Sequence, residues 1–143
     1  MNISIHPCLW VDNNAQEVAE FYCSIFPNSQ LLSSNPMATV FKLNEQRMMC
    51  LNGNSQSKFN ESVSMVITCE TQQEIDHFWN KFSDGGIEGR CGWITDKFGF
   101  SWQVVPSILG SLMSDPVKAP KTMYAFMQMK KFDIETLVSA SNS

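Results

Sequence analysis

Basic side chains are scarce in this chain. Lys and Arg number ten against fourteen Asp and Glu, the formal charge is −4 and the pI is near 5.0. A phosphate backbone wants a basic face, and the lone pair Lys130-Lys131 does not make one, so nucleic acid is not an expected partner. Long apolar runs are missing too. No stretch approaches the roughly 18–20 residues needed to cross a bilayer, so no membrane partner is expected. The opening Met-Asn-Ile-Ser-Ile-His-Pro lacks the basic and then apolar pattern of a secretory leader, and the expected location is cytoplasmic. The five cysteines are odd in number, spread out and free of any C-x-x-C pair. That suits reduced thiols acting as small core side chains and argues against a zinc or disulfide framework. Neither a glycine-rich phosphate loop nor a G-x-S-x-G elbow is present. With two histidines, His6 and His77, a Ser or Cys triad has no base that the sequence places beside a nucleophile.

What is present is the composition of one globular domain: 143 residues, 43% hydrophobic and 17% charged. The chain repeats itself. A short apolar strand, residues 8–11, is followed by the Asn13-Asn14 turn. Ala15, Val18, Ala19, Tyr22, Ile25 and Phe26 then recur at helical spacing until Pro27 stops the helix. Fifty-seven positions on, residues 63–69 again alternate as a strand, with Val63, Met65, Ile67 and Cys69 on one face. Thr71-Gln72-Gln73-Glu74 reads as a capping box, and Ile75, Phe78, Trp79 and Phe82 form a second helical stripe. Glu17/Glu74, Val18/Ile75, Phe21/Phe78 and Tyr22/Trp79 fall in register without a gap, as an internal duplication would leave them.

Further strands are predicted near 31–34, 38–43 and 47–51 in the first half, and near 89–94 and 100–105 in the second. The expected organisation is a single domain over 1–143. Its first module is about 3–52, a polar linker loop 53–61, a second module about 62–106, and a helical tail 107–143 with Asp133 as a cap.

In the 100–105 strand, Phe100, Trp102 and Val104 point one way and Ser101, Gln103 and Val105 the other. Gln103 is a long amide in an apolar segment. Left unpartnered inside a sheet it would cost roughly 1–3 kcal/mol, so either a neighbouring strand or a ligand satisfies it.

Several motifs carry a resemblance. They are Pro7-Cys8-Leu9-Trp10, Ala19-x-Phe21-Tyr22-x-x-x-Phe26-Pro27, Leu51-Asn52-Gly53, the Lys58-to-Ser64 stretch, the Cys91-to-Pro106 block ending Trp102-Gln103-Val104-Val105-Pro106, and Met129-Lys130-Lys131-x-Asp133-Ile134. In these the chain resembles the PhnB-like family, also labelled 3-demethylubiquinone-9 3-methyltransferase-like, of the vicinal oxygen chelate (glyoxalase, bleomycin-resistance and dioxygenase) superfamily. The resemblance implies an α+β fold: paired βαβββ modules forming a cupped antiparallel sheet, with a helical C-terminal extension, usually within a homodimer. It does not imply a reaction, because one scaffold hosts many. The methyltransferase label has no S-adenosylmethionine-binding motif behind it.

The superfamily's enzymes hold a divalent metal through His, Glu or Gln on the first and last strands of the modules. Gln103, seven residues after Asp96, stands where a Glu ligand is common. His6 is the first-strand candidate, although counting back from Phe21 without a gap puts Pro7 there; an extra residue in the Asn13-Asn14 turn would put His6 there. Ser64 holds the corresponding place in the second half, and Cys50 or Asn52 in the first half's last strand. This donor set is thin, so no cofactor is assigned, with a divalent metal on His6 and Gln103 as the alternative. A pocket for a small, partly apolar ligand would be lined by Gln103, Trp93, Phe59, Ser64 and Trp10. Gln103 also reads as an amide that pins adjacent strands, and Trp102 as core. The expected function is therefore small-molecule binding on the glyoxalase/bleomycin-resistance fold with no reaction assigned. The alternative is a metal-dependent lyase, isomerase or dioxygenase acting on a small oxygen-bearing metabolite.

Overall fold

The computed structural model of the chain describes residues 1–54 and 56–143. It divides into two compact units, Met1–Lys58 and Phe59–Ser143. The expected 53–61 linker spans the boundary, and its residue 55 lies outside the described residues.

The first unit runs β1 (Cys8–Asp12), α1 (Ala15–Ile25), β2 (Ser29–Ser34), β3 (Ala38–Leu43) and β4 (Gln46–Gly53). Asn44, at φ 53°, supplies the left-handed residue that turns β3 back on β4. β2 pairs antiparallel with β3, and β1 lies parallel to β4, in the order β1-β4-β3-β2. The predicted stripe of α1, namely Ala15, Val18, Ala19, Tyr22 and Ile25, is buried. Leu9, Val11, Thr39, Phe41, Leu43, Met48 and Cys50 are buried strand residues beneath it, and Tyr22 and Phe41 stand 6.2 Å apart by ring centroid. Fully burying side chains of this size stabilises by about 1.5–3 kcal/mol each before entropy is counted.

The second unit repeats the design with β5 (Ser64–Cys69), α2 (Gln72–Ser83), β6 (Ile87–Glu88), β7 (Trp93–Thr95) and β8 (Ser101–Pro106), in the order β5-β8-β7-β6. Thr71 and Glu74 close the expected capping box at the start of α2. Phe82 of α2 stacks on Trp102 of β8, with centroids 4.8 Å apart and planes 18° apart. The fold class is the expected one. The sheets are mixed, because the first strand of each module lies parallel to the last while the remaining pairs are antiparallel.

One predicted strand is shorter than expected. Residues 89–94 do not form a continuous strand, since Cys91 and Gly92 adopt φ 57° and 84° and bend the chain between β6 and β7. The tail packs against this bend. Phe132, buried to 1% exposure, occupies the space where a side chain at position 92 would be, within 2.6 Å of an ideal Cβ there.

Three helices follow β8: α3 (Leu109–Ser114), α4 (Ala119–Phe126) and α5 (Ile134–Ser141). The Asp133 side chain caps α5 by accepting from the Thr136 amide, as expected. The segment before α5 is strapped down. Cys91 and Gly92 donate their amides to the carbonyls of Met129 and Lys130, and Lys131 pairs with Asp76 at 2.8 Å. The Gln72 amide clamps the strap on both sides, donating to the Phe132 carbonyl (2.9 Å) and accepting from the Ile134 amide (2.8 Å).

Candidate functional site

In each unit the helix covers one face of the sheet, and the strand residues of opposite parity stand on the other, open face. On β8, Trp102 and Val104 are buried beneath α2, while Gln103 and Val105 are half-buried on the open side. The register sets Gln103 between Val66 of β5 and Trp93 of β7. Its Nε2 donates to the Ser64 Oγ at 3.0 Å, and its Oε1 accepts no hydrogen bond from a described residue. Val66, in the same row, is 57% exposed.

Three of the expected site residues, Gln103, Trp93 and Ser64, therefore stand together on one face of the second unit. Phe59 belongs to the same unit but packs edge-on against Phe100, 5.5 Å between centroids, and Phe100 in turn meets Trp102. Phe100 shares the parity of Trp102, so Phe59 joins the helix-side aromatic group and not the Gln103 row. Trp10 belongs to the first unit, on the open face of β1, 47% exposed. Its indole leans over Gly53, where an added Cβ would strike Nε1.

His6 precedes β1, with Nδ1 3.5 Å from the Ser4 hydroxyl. Its position in the repeat now follows from parity. Val11 is the last helix-facing residue of β1 and Cys69 the last of β5, 58 positions apart, whereas the helices match at 57. The first half thus carries one extra residue between strand and helix, and Asn13, at φ 57°, is the left-handed residue that accommodates it. That offset aligns His6, and not Pro7, with Ser64.

The alternatives on β4 have structural work of their own. Cys50 is fully buried under α1. Asn52 Oδ1 accepts from the Ala15 amide at 2.9 Å, satisfying the start of α1 where Asn14 makes no side-chain cap, and its Nδ2 donates to the Pro36 carbonyl. Asp96 has a role that sequence reasoning missed. Buried to 3% exposure, it accepts from the Phe98 and Phe100 amides through Oδ1 and from the Trp102 indole through Oδ2 at 2.9 Å. The Asp96-x-x-Gly99 turn was the available signal for it.

With this geometry in view, the sequence profile described as 3-demethylubiquinone-9 3-methyltransferase matches residues 3–105. The chain belongs to that family. A PhnB protein of Bacillus cereus bearing the same enzyme name is 29% identical, with a TM-score of 0.67 over 73% of this chain and 100% of its own. The protein PA1353 of Pseudomonas aeruginosa is 17% identical, with a TM-score of 0.62 over 73% of this chain and 98% of its own. The fosfomycin resistance protein FosX of Listeria monocytogenes, solved with Mn(II) and sulfate, is 13% identical, with a TM-score of 0.61 over 80% and 97%. These last two show a likeness of fold alone. No curated protein matches the chain. The family profile stops before α3, so the strapped tail lies outside it.

The divalent metal that the sequence resemblance implies would need ligands on this face. On the second unit's open face the donors beside Gln103 are its own amide and the Ser64 hydroxyl, both neutral and already bonded to each other, and Thr68, Thr95 and Ser101 of the same parity add only neutral hydroxyls. A divalent cation needs anionic or imidazole ligands to offset its dehydration. Among the described residues no three His, Cys, Asp or Glu side chains cluster in a way that could hold one. The donor set in this unit does not fit a metal centre.

Proposed function

We propose that this protein binds a small, partly apolar neutral molecule on the open face of its second unit. The observation that carries this reading is the Gln103 amide, anchored through Nε2 to Ser64 with Oε1 left to accept, beside Trp93 and Val66. Such an amide fixes the orientation of a ligand hydroxyl or N–H, while the indole offers a flat apolar surface. Ser64 and Gln103 select and orient; neither is placed as a nucleophile or proton-transfer group. The alternative, a metal-dependent lyase, isomerase or dioxygenase, requires charged donors that this face does not supply.

A thermal-shift screen of neutral metabolites against wild type and Gln103→Leu tests the reading. The expected result is a hit whose shift disappears in the variant, while the melting temperature of the unliganded protein changes little. Replacing the amide leaves only the half-buried Ser64 without its partner, a cost below about 1 kcal/mol. A ligand that shifts both proteins equally, or tight Mn²⁺ or Ni²⁺ binding lost in Gln103→Leu, refutes it.

We also propose that the chain is a homodimer in a reducing compartment such as the cytoplasm. All five cysteines are free, and Ile87, Met123, Tyr124 and Met127 are exposed apolar side chains of the second unit. Light scattering at twice the 16.2 kDa chain mass is the expected result.

A further inference from the structure

The open face of the first unit's sheet carries a charge arrangement that neither the fold nor the Gln103 site explains. On this face Arg47 of β4 stands directly opposite Lys42 of β3. Like charges in direct cross-strand pairs are destabilising. They are also two of only three Lys and Arg residues in Met1–Lys58, within an acidic chain. Lys42 reaches Glu45 at 3.7 Å, but Glu45 sits at the hairpin turn with its side chain 90% exposed, so the pair is weak. Arg47 has no carboxylate within ion-pair distance among the described residues.

The next row along the same face is apolar. Val40 pairs with Met49 across β3 and β4, and both are half-buried. One row further, Leu51 stands beside Trp10. Successive rows on one face of a strand lie roughly 7 Å apart, so a cationic end, an apolar floor and an indole wall fit within about 13 Å. Asp12, the anion on this face, lies at its opposite end, paired with Gly53.

We propose that this face binds an organic acid with a flat apolar body: the carboxylate between Arg47 and Lys42, the body on Met49 and Val40, with Trp10 and Leu51 closing the far end. Arg47 supplies the planar fork that matches a carboxylate, and Lys42 a second point charge. The ligand also removes the repulsion between the two cations, which is the physical reason for placing them side by side. Glu45 competes for Lys42. The inference stands on the first unit's sheet and does not rest on the Gln103 reading.

The test uses 1-naphthylacetate and its neutral isostere 1-naphthylacetamide, titrated calorimetrically into the full chain at low and high salt. The expected result is that the acid binds at least tenfold more tightly than the amide and weakens as salt is raised. Arg47→Gln with Lys42→Gln abolishes the preference, Glu45→Gln strengthens binding, and Gln103→Leu leaves it unchanged. Far-UV circular dichroism checks that each variant is folded. Equal affinity for acid and amide, no binding of the acid, or acid binding that survives in the double variant overturns the proposal. Acid binding lost only in Gln103→Leu overturns it too, while leaving the Gln103 site standing. Conversely, failure of the neutral-metabolite screen with an intact Arg47/Lys42 dependence removes the other reading alone.

Discussion

At the scale of single residues, Asp96 and Gln103 show how seven positions of one hairpin divide structural from functional work. Asp96 spends its carboxylate on three donors inside the unit: two turn amides and the Trp102 indole. Asp96→Asn keeps the volume and one acceptor oxygen, but it turns an N–H toward the indole N–H. A buried donor then loses its acceptor, and the expected cost is about 1–3 kcal/mol by urea denaturation. An unchanged midpoint would show that the indole bond is expendable. Gln103, on the other side of the same strand, spends only half of its amide on Ser64, which is why its replacement by Leu is expected to be nearly neutral. The two substitutions, in one strand neighbourhood, should differ in stability by more than they differ in chemistry.

At the scale of elements, α2 is the piece on which the second unit is organised. Its capping box holds the Glu74 carboxylate below its ordinary pKa, chiefly through the Thr71 amide and then that of Glu70. Hydrogen bonds from Lys131 and Gln72 lower Asp76 in the same way. A carboxylate whose folded pKa is depressed contributes its stabilisation fully above its unfolded pKa and loses it as pH falls through the folded one. The melting temperature should therefore drop on acidification through the carboxylate range, and Glu74→Gln should flatten part of that slope. A slope identical to that of wild type would contradict the assignment. One turn away, Gln72 holds the strap before α5 by two hydrogen bonds. Gln72→Ala leaves the Ile134 amide and the Phe132 carbonyl unpaired. Amide exchange of α5 should then accelerate by tenfold or more while that of β8 stays slow. Equal acceleration everywhere would mean that tail and sheet open as one unit.

At the scale of the whole molecule, the five thiols report on packing in both units. Burial, followed by the nearby Glu74 charge, pushes the Cys69 thiol up to about 11. Burial likewise raises Cys8 and Cys23. At pH 8 the native chain should react slowly with a thiol reagent, beginning at the exposed Cys8, and the buried Cys50 and Cys69 should react only after denaturant is added. Five rapid equivalents in the native state would show that the two helix–sheet cores are loose.

The sequence by itself determined the parts of this protein that depend on local periodicity. Apolar residues at helical spacing and strict alternation in strands placed α1, α2, β5 and β8, and the 57-residue repeat marked each half as a strand and a helix followed by further strands, because each module must bury one face of its own sheet under its own helix. The full βαβββ pattern came from the family resemblance. The parity of β8 was legible for the same reason, so Trp102 was readable as core and Gln103 as its opposite. Four matters were decided only by the tertiary structure. Residues 89–94 break at the positive φ angles of Cys91 and Gly92, where Phe132, some forty residues later, fills the space a side chain at position 92 would need. Asn52 became the cap of α1 from 37 residues away, which no local pattern announces. The alignment of His6 with Ser64, and the meeting of Arg47 with Lys42, depend on strand parity and register. Strand pairing is set by which side chains are buried across the sheet, so a one-residue difference in a turn changes what each face presents.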